Sequence, residues 1–366
     1  MKNKRLLSII TLVALLVISM FAYTGCAPQE EPAPEPAPDT TPETPADNDD
    51  EVAEWDPGEP INVIIQYAAG GGTDLTLRML AAQMEQALGT SIVAVNMPGA
   101  TGAVATDHVW TEDRDGLTWL GAATNDVMHY PVMGLHDVPY TEWELYIATL
   151  STTIVTVSAQ SDYETFDDLL DDFRNRPGDV RVATAGVGAS AHVAAEILNL
   201  GAGIEYAHVP YDGGYPAIIA TIGMETETVL QHAIEVADML KAGELRALAV
   251  YDTNPLNMPG YGEIPPITDW LPELSEWLPH GAHFGIGLPA DTPEHILATV
   301  DRAFHAAVES QAMIEFAEDR SVDLVGLSRE EAREWIGVQA PVVTWILYEG
   351  GLAENSPEEF GFEKPW

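Results

Sequence analysis

The sequence predicts an α/β protein built on parallel sheets. Two observations carry this. Short β-rich runs alternate with segments of helical period, the order that yields parallel strands covered by helices. The joints between them are glycine-rich loops that run straight into helices, once near 67–75 and again near 183–193. No fixed-period repeat of the solenoid kind interrupts this pattern.

The first β-rich run is 61–67, and it ends in Ala68-Ala69-Gly70-Gly71-Gly72. From Thr73 the apolar residues recur at helical spacing (Leu75, Met79, Leu80, Met84, Leu88) and Gly89 closes the helix, with Thr73 or Asp74 as its N-cap. A strand follows at 92–95, a turn cluster at 96–102, a helix of small residues to about Trp110 and a strand at 117–123. The alternation resumes with a strand at 153–159, an acidic amphipathic helix at 165–174, a strand at 180–183 and a helix from the second glycine-rich loop to Leu200. A strand at 204–209, the turn Pro210-Tyr-Asp-Gly-Gly214 and an Ala/Ile helix come next. The remainder reads as a strand at 245–251, a Pro-rich irregular stretch at 254–280, a strand at 284–288 and helices near 293–308, 310–318 and 329–348.

The chain has 366 residues, with 58 acidic and 15 basic side chains and a formal net charge of −43. That charge excludes a nucleic-acid binder held by basic patches and docking on anionic lipid through a polybasic surface. It does not imply disorder, because 46% of the residues are hydrophobic. After residue 60 there are ten Arg but only Lys241 and Lys364. A surface poor in Lys and rich in carboxylates suits concentrated salt, which screens self-repulsion; an ordinary acidic extracellular protein is the alternative.

Residues 1–26 hold Lys2, Lys4 and Arg5, then an apolar run, then Thr24-Gly25-Cys26. The pattern is that of a secretory signal, and it resembles a bacterial lipoprotein signal in which Cys26 becomes the lipidated first residue. Tyr23 departs from that pattern, and an uncleaved anchor is the alternative. Cys26 is the only cysteine, so the globular part has no disulfide. Residues 27–60 carry nine prolines, twelve acidic residues and no basic one. They read as an extended stalk that buries nothing.

A glycine-rich loop opening a helix presents free backbone N–H groups and the positive end of the helix dipole, a site for an anion. Gly70-Gly-Gly-Thr-Asp74 lacks the P-loop lysine and the dinucleotide G-x-G-x-x-G spacing. A small carboxylate needs only a few N–H donors and a hydroxyl such as Thr73 or Ser190. Gly70 to Gly72 could equally be a tight βα turn and no more. Asp74 and Arg78 are spaced for an ion pair. His129, His136, His280 and His283 come without an HExxH or Cys/His cluster, so no metal is expected. Ser190 and His192 lack a G-x-S-x-G elbow and do not face each other on a helix.

Six motifs then resemble one family. They are Gly70-Gly-Gly-Thr-Asp74 with Arg78, Asn96-x-Pro98-Gly99-Ala100-x-Gly102, Ala185-Gly-x-Gly-x-Ser-x-His192, His208-Val-Pro-Tyr211-x-Gly-Gly-x-Pro216, Gly243-x-Leu-Arg246-Ala-Leu-Ala249 and Gly287-Leu-Pro289-Ala-x-Thr-Pro293. In this order they resemble the substrate-binding proteins of tripartite tricarboxylate transporters, also called the Bug or TctC family. The resemblance implies a two-lobed periplasmic-binding-protein (Venus flytrap, type II-like) fold with two crossing strands, near 158 and 283. Lobe 1 is then 61–158 plus 283–366 and lobe 2 is 159–282.

It further implies that a small carboxylate is held by Gly71, Gly72, Thr73 and Asp74 from one lobe and by Gly186, Gly188, Ala189 and Ser190 from the other. His192, Asp212 and Gly213 line or support the second side, and Thr124 and Asn125 reach the cleft. Two cationic contacts common in the family are missing, since Asp212 and Met97 stand where a basic residue is frequent. The implied function is a lipid-anchored extracytoplasmic receptor, monomeric, without cofactor or metal, that delivers a carboxylate to the membrane subunits of the transporter. The alternative is an exported α/β enzyme acting on an acidic small molecule through Ser190 or His192.

Overall fold

The computed structural model describes residues 55–366. The signal, Cys26 and stalk residues 27–54 lie outside the described residues. Trp55 corrects the expectation that 27–60 bury nothing. Its indole packs partly buried against the first core, and the Trp55 backbone N–H donates to Thr299 Oγ1 at 3.2 Å.

The parallel part of the first sheet is the βα alternation expected from the sequence. β1 (Ile61–Ile65) leads into α1 (Gly72–Leu88), β2 (Ile92–Asn96), α2 (Ala103–Thr111) and β3 (Thr118–Ala123), and β1 lies parallel between β2 and β3. Central parallel strands are covered on both faces and so read as continuous apolar runs. α1 buries Leu77, Leu80, Ala81 and Met84 in the same core as Val63 and Ile65 of β1, each large side chain contributing roughly 2 kcal/mol. Gly89 closes the helix in the left-handed conformation, φ 67°. The N-cap, however, is Gly71 rather than Thr73 or Asp74, and no side chain caps it.

After the short helix α3 (Tyr130–Met133) comes β4, Trp143–Ser158, which joins the two halves of the molecule. Sixteen residues run as one strand. Its first part pairs with β11 (Gly281–Pro289) and β12 (Asp323–Ser328). From Thr153 onward it pairs with β7 (Thr228–His232) and β8 (Leu245–Val250). No alternation marks a strand before 153 in the sequence, because residues 143–152 are buried on both faces.

The second sheet adds β5 (Arg181–Thr184) and β6 (Ala207–Pro210), with β5 parallel to both β6 and β7. Its helices are α4 (Phe166–Asn175), α5 (Ser190–Ala202), α6 (Gly214–Ile222) and α7 (Ala233–Lys241). The Pro-rich stretch holds a small hairpin, β9 (Leu256–Met258) with β10 (Gly262–Ile264). The chain then returns to the first sheet through β11 and ends with α8 (Glu294–Val308), α9 (Gln311–Arg320) and α10 (Glu330–Glu349).

The result is a two-lobed fold crossed twice. At the crossing, Thr153 N–H donates to the His280 carbonyl at 3.0 Å and Tyr251 N–H to the Thr153 carbonyl at 2.9 Å. The crossings therefore lie at 152–153 and 280–281, not near 158 and 283. The shift follows from β4 being one unbroken strand: it changes sheets by changing partners, with no loop to mark the place.

Candidate functional site

Four helices open on the cleft between the lobes, and all four begin without a capping side chain. Their N-caps are Gly71 (α1), Gly102 (α2), Ala189 (α5) and Gly213 (α6). Away from the cleft, α4 and α9 are capped by the hydroxyls of Thr165 and Ser310. Polar caps satisfy the first N–H groups of a helix. Glycine and alanine leave those groups to whatever comes across the cleft.

The cleft is divided into two compartments that share Tyr67 and Ala185 as walls. The inner one is lined by Gly72, Thr73, Asp126, Ser190, His232 and Glu235, among others, and has a volume of about 20 Å³. That is room for one or two water molecules. The outer compartment, about 320 Å³, lies between 99–102 and Met133 on one side and Gly186, Val187, Tyr211 and Asp212 on the other. No Lys or Arg lines either compartment.

Of the residues expected at the site, Gly72, Thr73, Ala189 and Ser190 line the inner compartment, and Gly186 and Asp212 the outer. Gly71 and Gly213 sit where the loops of the two lobes touch: Cβ atoms there would lie 3.2 Å from Glu235 Oε1 and 3.2 Å from Ala68 Cβ. The rest are turned elsewhere. Asp74 accepts from Gly70 N–H, Arg78 Nε and Asn96 Nδ2, at 2.8–2.9 Å, so its carboxylate is spent within its own lobe. Thr124 N–H donates to the His283 carbonyl and Asn125 Oδ1 accepts from His283 N–H, which ties β3 to β11. Gly188 packs against Met133, with φ +80°. His192 Nδ1 accepts from Gly188 N–H at 3.0 Å and its ring stacks on His208, centroids 3.6 Å apart. Burial lowers the His192 pKa to about 3, so the ring is a neutral staple of the loop.

The residues missed are the ones that fill the inner compartment. Glu235, in the first turn of α7, sends Oε1 across the cleft to accept from Gly72 N–H at 2.8 Å. The anion position at the start of α1 is thus taken by the protein's own carboxylate. Glu235 Oε2 faces His232 Nδ1 at 3.0 Å, and with the Gln231 amide turned to satisfy its neighbours, Gln231 donates to the same oxygen at 2.5 Å. Asp126 answers from the other lobe. It accepts from the Tyr67 hydroxyl, and the Ser190 N–H at the start of α5 acts on it electrostatically without meeting hydrogen-bond geometry, since Oδ1 has no partner. Burial raises this carboxyl to about 7. The only signal available in the sequence was the acidic residue three positions after His232, a capping-box spacing with an unusual cap.

Ser190, His232 and Glu235 form a chain of the Ser–His–acid kind, with Oγ to Nε2 at 3.2 Å and Nδ1 to Oε2 at 3.0 Å. The Ser190 hydroxyl, however, donates to the Gly281 carbonyl at 2.8 Å. Its proton points away from the imidazole that a nucleophile would need as base. The chain fixes the start of α5 to the crossing at 280–281.

The family model for the tripartite tricarboxylate transporter family receptor matches residues 76–345. The chain belongs to this family. Among curated relatives, Protein BugT of Bordetella pertussis is 25% identical over 297 residues, covering 77% of this chain and 89% of the relative. Two solved structures are similar in fold. A protein of R. palustris solved with adipate has a TM-score of 0.73 at 22% identity, covering 81% of this chain and 99% of its own. MatC from Rhodopseudomonas palustris, solved with bound malate, has a TM-score of 0.67 at 21% identity, covering 80% and 97%. The family is one of substrate-binding receptors, and among the described residues of this member no helix is long and apolar enough to cross a membrane.

Proposed function

We propose that this receptor takes up a small organic carboxylate in the inter-lobe cleft outside the cytoplasmic membrane and delivers it to a tripartite tricarboxylate-type transporter. The observation that carries the reading is the set of four uncapped helix N-termini, two from each lobe, that open on one cleft. Such groups bind an anion without a cationic side chain. The family and the adipate and malate held by its structural neighbours support the same reading. The lobes we infer are 55–152 plus 281–366 and 153–280, moving about the two crossings. Closing them would bury the ligand and present one shape to the transporter.

Of the expected site residues, Gly72, Thr73, Ala189, Ser190, Gly186 and Asp212 remain the proposed contacts. Gly71, Gly188 and Gly213 keep the loops close, and Asp74, Thr124, Asn125 and His192 support them. We further propose a lipid anchor at Cys26, a stalk over 27–54, a monomer, a high-salt habitat and no catalysis.

A thermal-shift panel of carboxylates in molar NaCl tests the function. Saturable stabilisation by a ligand that NMR finds unchanged is the expected result. Turnover of the ligand, or no stabilisation by any carboxylate, would overturn it.

A further inference from the structure

Glu235 is fixed in lobe 2. Its Oε2 accepts from the His232 backbone N–H at 3.3 Å, and it faces His232 Nδ1 at 3.0 Å and the turned Gln231 amide at 2.5 Å. These partners lie in β7, directly before the helix that carries Glu235. Oε1 alone reaches the other lobe, where it accepts from Gly72 N–H at 2.8 Å. Room for the carboxylate is built into both sides. A Cβ on Gly214, the first residue of α6, would collide with it, and one on Gly71 would lie 3.2 Å from Oε1. The carboxylate is thus seated between the starts of α1 and α6, one from each lobe, in a residue that is 8% exposed.

A second carboxylate does not fit beside it. The inner compartment, at about 20 Å³, has room for one or two waters but not for the three heavy atoms of a carboxylate. Two buried carboxylates side by side would also repel each other away from bulk water. A ligand's carboxylate and Glu235 therefore exclude each other at the start of α1. Opening at the two crossings separates them at little cost: it breaks the bond to Gly72, and it leaves the bonds to Gln231 and His232 in place, because those belong to the same lobe as Glu235.

We propose that Glu235 is a tethered counter-ligand. It latches lobe 2 to Gly72 of lobe 1 when no ligand is bound, and an incoming carboxylate must displace it to reach the Gly72 and Thr73 N–H groups. The proposal rests on the carboxylate-receptor reading and adds a threshold to it. Part of the binding energy of each ligand goes into breaking the latch, so affinity lies below what the helix starts alone would give. One hydrogen bond to a charged group sets that factor at about tenfold.

Small-angle X-ray scattering of the ligand-free full-length protein tests the latch without any knowledge of the ligand. Residues 1–54 are common to all samples, so a difference in radius of gyration reports the lobes. Glu235→Ala should expand the molecule, and Glu235→Gln should expand it less, with Tm and circular dichroism confirming the fold of each. Acetate added to Glu235→Ala should restore the compact form saturably, as a free carboxylate in the place of the tethered one, and NaCl at the same ionic strength should not. Isothermal titration then reads the competition: whichever of succinate, malate and adipate binds the wild-type protein should bind Glu235→Ala about tenfold more tightly. An unchanged radius of gyration in both variants, or an expansion that acetate does not reverse, overturns the proposal and leaves the receptor reading standing. So does weaker binding in Glu235→Ala, which would mean that Glu235 stays in place beside the ligand. If the scattering and acetate results hold but none of the three carboxylates binds any form, the latch stands and the receptor reading fails for these ligands.

Discussion

Burial raises the Asp126 carboxyl to about 7, so the folded protein holds this proton more tightly than the unfolded chain does. Its contribution to stability is full below the ordinary carboxylate range and is lost as pH rises through about 7. The groups that face it are the Tyr67 and Tyr130 hydroxyls and the Ser190 N–H, and none is a cation. Asp126→Asn removes the titration while leaving an oxygen to accept from Tyr67. Its Tm relative to the wild-type protein should therefore climb between pH 5 and pH 8, by an amount on the order of 3 kcal/mol in stability. Calorimetry at the two pH values checks this; an equal difference at both would mean that Asp126 titrates as an exposed carboxylate. His129 shifts in the other direction. Both ring nitrogens are buried without a partner, and desolvation lowers its pKa to about 3. Its contribution is present above 6.5 and is lost as pH falls toward 3.

The starts of α4 and α1 show what a helix end does when it only folds and when it faces the cleft. At α4, Thr165 and Asp168 form a capping box, Oγ1 accepting from Asp168 N–H at 3.3 Å and the carboxylate from Thr165 N–H at 2.8 Å. Thr165→Ala should cost about 1 kcal/mol of stability and leave ligand binding alone. Gly72 in the first turn of α1 is different. A Cβ there would sit 2.5 Å from the Phe284 ring of β11 and 3.0 Å from Ile234 of α7. Gly72→Ala should overpack the closed cleft by roughly 1–3 kcal/mol. It should also weaken ligand binding, because the N–H groups of α1 can no longer approach the opposite lobe. Chemical denaturation and titration of the two variants side by side separate the roles. Equal ligand affinity in both would remove Gly72 from the cleft.

The whole molecule combines a net charge of −43 with a cleft for an acid. The lobes meet through ion pairs in which each cation has an acidic partner, Arg320 with Asp238 and Lys241 with Asp319, both at 2.8 Å. Long-range repulsion is screened by salt, with a Debye length of about 3 Å at 1 M. Backbone N–H groups and buried acceptors within the cleft are not. Ligand affinity should therefore hold or rise as NaCl increases from 0.1 to about 2 M, and Tm should rise with it. A steep loss of affinity with salt would mean that surface charge, and not the cleft, does the binding. Acid acts on five histidines at once, three buried (His129, His192 and His283) and two half-buried (His208 and His280): all are lowered, to about 3 or 4. Unfolding below pH 6.5 should take up protons on their account, and calorimetry in buffers of different ionisation enthalpy measures the uptake.

The βα alternation, the glycine-rich loops and their helices were legible in the residues, because apolar period and punctuation are local properties. So was the family, since its motifs are loop sequences that need no partner to be read. β4 was not legible before 153, nor were β7, α7 and β12, where burial on both faces or partly polar composition hides the period. The inner site was legible only by halves. Gly72, Thr73 and Ser190 were visible as the ends of helices. Asp126 and Glu235 were not, because their meaning depends on which helix start each one faces across the cleft. Sequence alone determined that helix N-termini would meet without cationic side chains. Only the tertiary structure decided that the protein's own carboxylates stand opposite them, because that pairing joins residues 163 positions apart, as in Gly72 to Glu235, through two crossings.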